Sequence, residues 1–360
     1  MHIDRLALVR QLLKKERCSY ILVSDPVDIH YICGFRSSHA YLLINNRNAV
    51  LFTDFRYQEA AEKFVGRNPH WQFELVSGST FTFLQPFVRK RSRVGIQSES
   101  ITVDDFDELE KVCETCRFVK LGGKVPSLSL RKDATEIRAM QKAAKAGEKA
   151  LGALVKRLRY GITEQDAARM LESLCKEYGS EKPSFDTIML FGKRAALPHG
   201  TPSRRKLRQG DFVLIDFGCT VDGFCSDMTR TFVAGKASEK QKEIYTIVKH
   251  AQQLGRMQVS PGVKASEIDA VVRSYIQQQG YGDAFGHATG HGVGRRIHEN
   301  PRVSKSDDTV LEPGMVITIE PGIYIPSTGG VRIEDMVEVT EDGSRTIHRY
   351  SHGLTELALS

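Results

Sequence analysis

The chain has 360 residues, of which 41% are hydrophobic and 26% charged, with a formal net charge of +7. These are ordinary proportions for a globular protein with room for two cores. No apolar run reaches the about 18 residues a membrane span needs, and the opening MHIDRLALVRQLLKKERCSY lacks the unbroken apolar stretch of a secretion signal. A cytoplasmic protein with no membrane partner is expected. Seven scattered cysteines then read as reduced thiols; Cys113 and Cys116 form one CxxC with no second to complete a zinc site. The basic runs at 89–93 and 204–208 carry no interleaved aromatics, so a nucleic-acid partner is not expected. The second run follows Leu197-Pro198-His199-Gly200 and suits a pocket mouth that favours an acidic substrate end.

In chain order, the first third alternates short helices and apolar strands, an α/β layer. The pattern predicts an amphipathic helix over 4–15 and strands at Tyr20–Val23, Ala40–Ile44 and Ala49–Phe52. Asp54 caps a helix through Ala61, and further strands follow at Phe73–Val76 and Val94–Ile96. Glycine and proline at 121–126 mark a boundary, giving domains 1–123 and 124–360. Beyond it, Asp133 caps a long helix to about 157 and Thr163 opens a second; after an acidic hairpin come helices at 238–257 and 266–279, then another acidic hairpin. Helix, helix and hairpin thus occur twice, the order of an internal pseudo-repeat.

The two hairpins carry the chemistry. Asp216 and Asp227 flank a turn centred between Val221 and Asp222; Glu320 and Glu334 flank one centred on Ser327. Residues equidistant from a turn face each other, and like charges there repel. A cation between them removes the conflict. A lone Asp after an apolar strand is usually a turn residue, but two such pairs beside a histidine-rich segment are not so explained. Four carboxylates and one imidazole can hold two divalent ions roughly 3.5–4 Å apart. His287, His291 and His298 lie among Gly286, Gly290, Gly292 and Gly294, too glycine-rich for a regular helix, so no helical HExxH pair is read there. His199 comes from a separate loop, while His250, His348 and His352 read as surface or satisfied core residues.

The segments ALPHG, VLIDFGCTVDGFCSDMTRTF, HATGHGVGRRIHENP, LEPGMVITIEPGIY and GGVRIED resemble those of the metallopeptidase family of methionine aminopeptidase, aminopeptidase P, prolidase and creatinase. The resemblance is strong over roughly 126–360, and the N-terminal third is more weakly similar to the creatinase-type domain. It implies an α+β protein: a C-terminal pita-bread catalytic domain with pseudo-two-fold symmetry after a smaller α/β N-terminal domain. It also implies the ligand set. Asp216 would be bidentate on one metal, Asp227 and Glu334 would bridge both, and His291 and Glu320 would complete the second.

Glu320 would also be the general base on the attacking water. His199, His287 and His298 would bind substrate, with His199 and His298 serving catalysis at the carbonyl or the leaving amine, and Arg332 would steady the bridging carboxylates. Manganese is the expected ion from the oxygen-rich set, with cobalt, zinc or iron also fitting. An N-terminal domain points to the proline-directed branch, hence peptides with proline in second position and a homodimer. The expected activity is Xaa-Pro aminopeptidase; the alternatives are Xaa-Pro dipeptidase, for whose carboxylate recognition Arg204, Arg295 and Arg296 are candidate bases, and a non-catalytic binding module. Leu190-Phe191 before Gly192, and Met336 after Glu334-Asp335, depart from the usual family pattern beside the pocket without removing a ligand.

Overall fold

The computed structural model describes residues 4–78 and 81–360, which divide into two compact units, Met1–Ser129 and Leu130–Ser360. In the first, α1 (Arg5–Lys15) starts where the Asp4 carboxylate accepts the Ala7 amide at 3.0 Å. Next come β1 (Tyr20–Val23), α2 (Pro26–Cys33, its proline in the first turn), β2 (Ala40–Ile44), β3 (Ala49–Thr53), α3 (Gln58–Arg67), β4 (Gln72–Leu75), β5 (Arg93–Ile96), α4 (Val103–Val112) and β6 (Arg117–Lys120). The strands form one sheet in the order β4-β3-β2-β1-β5-β6. Alternation along each strand feeds two cores. Ile21, Val23, Leu42, Ile44 and Leu51 fill one face, and Tyr20, Leu22, Leu43, Val50 and Phe52 the other.

The second unit repeats a plan. Asp133 and Glu136 make a reciprocal capping box on α5 (Ala134–Val155), and Thr163 caps α6 (Glu164–Glu177). Then come β7 (Lys182–Pro183), β8 (Ile188–Phe191), β9 (Phe212–Phe217), β10 (Cys219–Val221), β11 (Phe224–Cys225) and β12 (Met228–Ala234). The second round has α7 (Glu239–Gln258), boxed by Ser238 and Gln241, and α8 (Ala265–Gln278). It continues with β13 (Gly290–Gly292), β14 (Glu299–Val303), β15 (Val316–Ile319), β16 (Gly322–Ile325), β17 (Gly329–Arg332), β18 (Asp335–Thr340), β19 (Gly343–Thr346) and β20 (Glu356–Leu357). The larger sheets run β20-β12-β9-β8 and β14-β13-β15-β18-β19. Val213, Ile215 and Phe217 of β9 pack with α5 and α6, while Phe212 and Leu214 pack with α7 and α8. Asp216 therefore shares the second face. Among the described residues no helix is long and apolar enough to cross a membrane.

The hairpin registers differ from expectation in one case. β16 pairs β17 with Gly322 opposite Arg332, and β15 pairs β18 with Ile319 opposite Asp335, the register that sets Glu320 level with Glu334. In the first hairpin Asp216 lies opposite Thr229, not Asp227. The turn is the two-residue Asp222-Gly223, with φ of 53° and 76°, the left-handed pair that a tight hairpin requires. That moves the turn centre by one residue and the pairing by two, so Asp227 sits diagonally from Asp216 on the same side.

Candidate metal centre

The two hairpins break where they carry their acids. Glu320 and Glu334 fall between the β15–β18 and β16–β17 ladders, and their amides bond elsewhere: Glu320 N donates to Thr289 O at 2.8 Å and Glu334 N to Thr229 O at 3.1 Å. The second bond ties the two sheets together at the acids. Asp216, Asp227 and Glu334 are buried, and the Glu320 side chain keeps 17% of its exposure. His291, on β13, points Nε2 at Asp227 Oδ2 (3.5 Å) and at Glu320 Oε1 (3.4 Å). Ligand atoms of Asp227, His291 and Glu334 lie within 4.8 Å of one another.

Several observations test whether this set suits cations, and all agree. His291 Nδ1 lies 2.9 Å from Gly292 O, so that nitrogen carries the proton and Nε2 turns a lone pair toward two carboxylates. Asp216 Oδ1 is buried with no hydrogen-bond partner, an orphan that a buried carboxylate does not tolerate unless something else satisfies it. Burial, then the charges of Glu334, Asp216 and Glu320, pushes Asp227 well above the usual carboxylate range. Burial, then Glu320 and Asp216, does the same to Glu334. Glu320 is raised to about 7, chiefly by withdrawal from water, with Arg332 opposing. Burial lowers His291, which keeps it neutral and available as a ligand. The residues fit divalent cations.

Around them runs a hydrogen-bond chain that spacing alone does not reveal. Arg332 Nη2 donates to Asp216 Oδ2 at 2.6 Å, Nε to Thr229 Oγ1 at 3.1 Å and Nη1 to Tyr324 Oη at 2.7 Å. Thr229 Oγ1 in turn donates to Glu334 Oε2 at 2.6 Å. Arg332 thus touches Asp216 directly and reaches Glu334 only through Thr229. The Tyr324 hydroxyl lies 2.8 Å from His287 Nε2, and His287 Nδ1 lies 2.7 Å from Ala288 O. Both His287 nitrogens are thereby occupied by the protein. Burial lowers His287 to about 4, so it is neutral.

His298 is exposed, with its ring centroid 4.5 Å from that of His291. His199 is also exposed, and it lies within electrostatic reach of His287, His298 and Glu320. Thr229 and Tyr324 went unread because neither is acidic or imidazole. Alternation from Asp216 across β12 would have found the first. Arg302, on β14 directly opposite His291, was also missed; its charge reaches both His291 and His298.

With this geometry in place, the comparisons with known proteins fall into line. The pattern of Metallopeptidase family M24 matches residues 138–341, and that of the Creatinase/Prolidase N-terminal domain matches residues 5–128. The chain belongs to metallopeptidase family M24, and its second unit has the pita-bread catalytic fold. It is 37% identical over 348 residues to the Xaa-Pro dipeptidase of Pyrococcus furiosus, covering 96% of this chain and 97% of that protein. The structure of an Xaa-Pro dipeptidase from Bacillus anthracis superposes with a TM-score of 0.94 at 35% identity, covering 98% of this chain and 99% of that one. An X-Pro aminopeptidase from Thermotoga maritima gives 0.88 at 30% identity, covering 98% and 99%. The family implies divalent metal ions, and the carboxylate–imidazole cluster is where this chain would hold them.

Proposed function

We propose that the protein is an Xaa-Pro dipeptidase that uses two divalent metal ions, manganese by preference. The aminopeptidase reading expected from the sequence gives way to this alternative. The dipeptidases among the relatives favour it, and one observation in the site carries it. A dipeptidase must recognise a free carboxylate next to the scissile bond. Of the arginines near the site, Arg295 is committed, its side chain 8% exposed, lying over the Phe224 ring and 3.9 Å from Glu136. Arg302 is exposed; its amide donates to Asp307 Oδ2 at 2.8 Å, but among the described residues its guanidinium has no acidic partner, and it stands across the ladder from His291. Cross-strand neighbours share a face, so its guanidinium is a cation placed to take that carboxylate.

In this reading Asp216, Asp227, His291, Glu320 and Glu334 hold the metals. Bound there, the ions acidify water and polarise the peptide carbonyl. Glu320, the most open carboxylate of the set, takes the proton of the attacking water. His298 and His199, exposed beside it, donate hydrogen bonds to the carbonyl oxygen as charge develops and protonate the leaving nitrogen. His287 acts through Tyr324 on Arg332, because contact with substrate would cost one of its two bonds. A cytoplasmic homodimer with domains divided near residue 123 belongs to the same proposal.

The test strips the protein with chelator, restores manganese and compares Ala-Pro, Ala-Pro-Ala and Ala-Ala-Ala. Manganese-dependent cleavage of Ala-Pro alone is expected, and Arg302→Met should raise KM for Ala-Pro by about 10- to 100-fold, the loss of one charge-assisted contact. Cleavage of the tripeptide at a comparable rate would return the reading to aminopeptidase P.

A further inference from the structure

Glu164 opens α6 with its side chain wholly buried, yet the helix makes no use of its carboxylate. Thr163 Oγ1 already accepts the Asp166 amide at 3.0 Å and caps that end. The Glu164 oxygens gather donors from one loop instead. Oε1 accepts Phe191 N–H at 2.8 Å, and Oε2 accepts Ser203 N–H at 2.8 Å and Ser203 Oγ–H at 2.7 Å. Arg194 Nε lies 2.9 Å from Oε2 and 3.2 Å from Oε1, while its Nη2 donates to Thr201 O at 2.6 Å.

Phe191, the last residue of β8, and Ser203, within the connection from β8 to β9, bracket the 191–203 loop segment that carries His199. A buried carboxylate is costly unless its oxygens are satisfied, and here every satisfying group belongs to that loop. From the other side the loop rests on β17. A Cβ on Gly330 would stand 2.3 Å from Ala195 O, so only glycine allows the approach. Gly330 precedes by two residues Arg332, whose guanidinium holds Asp216.

We propose that Glu164 is a positioning residue for hydrolysis: it staples both ends of the 191–203 loop and thereby fixes His199 at the mouth of the metal centre. The role rests on the peptidase reading of His199. Glu164→Gln keeps the size of the side chain but replaces an acceptor oxygen with an N–H₂ that faces the loop's own donors. In manganese-loaded protein, it should lower kcat/KM for Ala-Pro about 100-fold, the penalty for a misplaced catalytic group, while two ions remain bound. In a His199→Ala background the same change should cost less than about threefold, because the two residues act as one unit. An equal loss in both backgrounds would overturn the proposal.

Hydrogen exchange gives a second readout that needs no turnover. Glu164→Gln should speed amide exchange over 191–203 and leave α5 and β12 as they were; unchanged exchange in the loop overturns the inference. A wild-type protein that fails to cleave Ala-Pro would count against the dipeptidase reading and leave this readout standing. Should Glu164→Gln not fold, Arg194→Met serves, since its side chain is 32% exposed. It should give a smaller loss with the same dependence on His199, and a loss independent of His199 overturns the proposal.

Discussion

Glu334 and Asp335 are consecutive, both buried, and face opposite surroundings. Glu334 enters a space shared with Asp216, Asp227 and Glu320, and its carboxyl is driven well above the ordinary range by burial and then by those charges. Asp335 enters a space already furnished with donors, the Arg230 guanidinium among them. Arg230 Nη2 lies 2.8 Å from its Oδ1, Gln252 Nε2 lies 2.8 Å from its Oδ2, and His352 Nε2 bonds the same oxygen. Burial works against this carboxylate too, yet Arg230 and the two histidines hold it well below the ordinary range. Arg230 also donates to Glu334 O at 2.6 Å and to the carbonyls of Tyr350 and Ser351. One acid is satisfied by the protein alone. The other is complete only when something positive is added, and that difference separates a structural cluster from a binding site.

The comparison breaks most visibly at the chemistry. Glu320→Gln removes a proposed metal ligand and the proposed proton acceptor together and should lower kcat by roughly 10²- to 10⁴-fold; an active variant would sink the role given to Glu320. Stability sharpens the contrast, since the two neighbours should answer with opposite signs. Asp335→Asn leaves Arg230 buried beside a neutral side chain and should destabilise the protein by about 3–5 kcal/mol. Glu334→Gln relieves crowding among acids, so in chelator-treated protein it should raise the melting temperature. With manganese present it should lower that temperature, because a proposed ligand has gone. Denaturation of both variants with and without chelator decides the matter, and a fall for Glu334→Gln in chelator would show that the acids are not repelling one another.

How much of this could be read in advance follows the range of each interaction. The helix starts at Asp133 and Thr163 were legible because a cap is local, a matter of three residues. Glu320 and Glu334 were placed level because their turn is symmetric about Ser327, whereas Asp216 was set opposite the wrong residue because the Asp222-Gly223 turn went unrecognised. Thr229 and Glu334 lie 105 positions apart, and Arg230 reaches Asp335 over the same interval. No periodicity within one element reports such cross-sheet contacts. The Glu164 staple is hidden for the same reason, since its donors come from positions 27 to 39 residues later.

The smallest effect concerns His348, the outlying member of the Asp335 cluster. Its Nδ1 accepts the Met336 amide at 3.2 Å and its side chain is 1% exposed. Burial holds its pKa down at about 4 despite the attraction of Asp335. Between that value and the about 6.5 of a free histidine, the unfolded chain binds a proton that the folded one refuses. Stability from this group is therefore full above pH 6.5 and declines as pH falls toward 4, by about 1.4 kcal/mol for each pH unit per proton. His348→Gln keeps a hydrogen-bond acceptor and removes the titration. Its unfolding free energy should accordingly be lower at pH 7.5 but flatter between pH 6.5 and 4 than that of the parent. Because Asp335 is paired with the Arg230 guanidinium, the flattening should be the same with and without manganese. A slope that changed with the metal would mean the two clusters are coupled through the Glu334–Asp335 backbone.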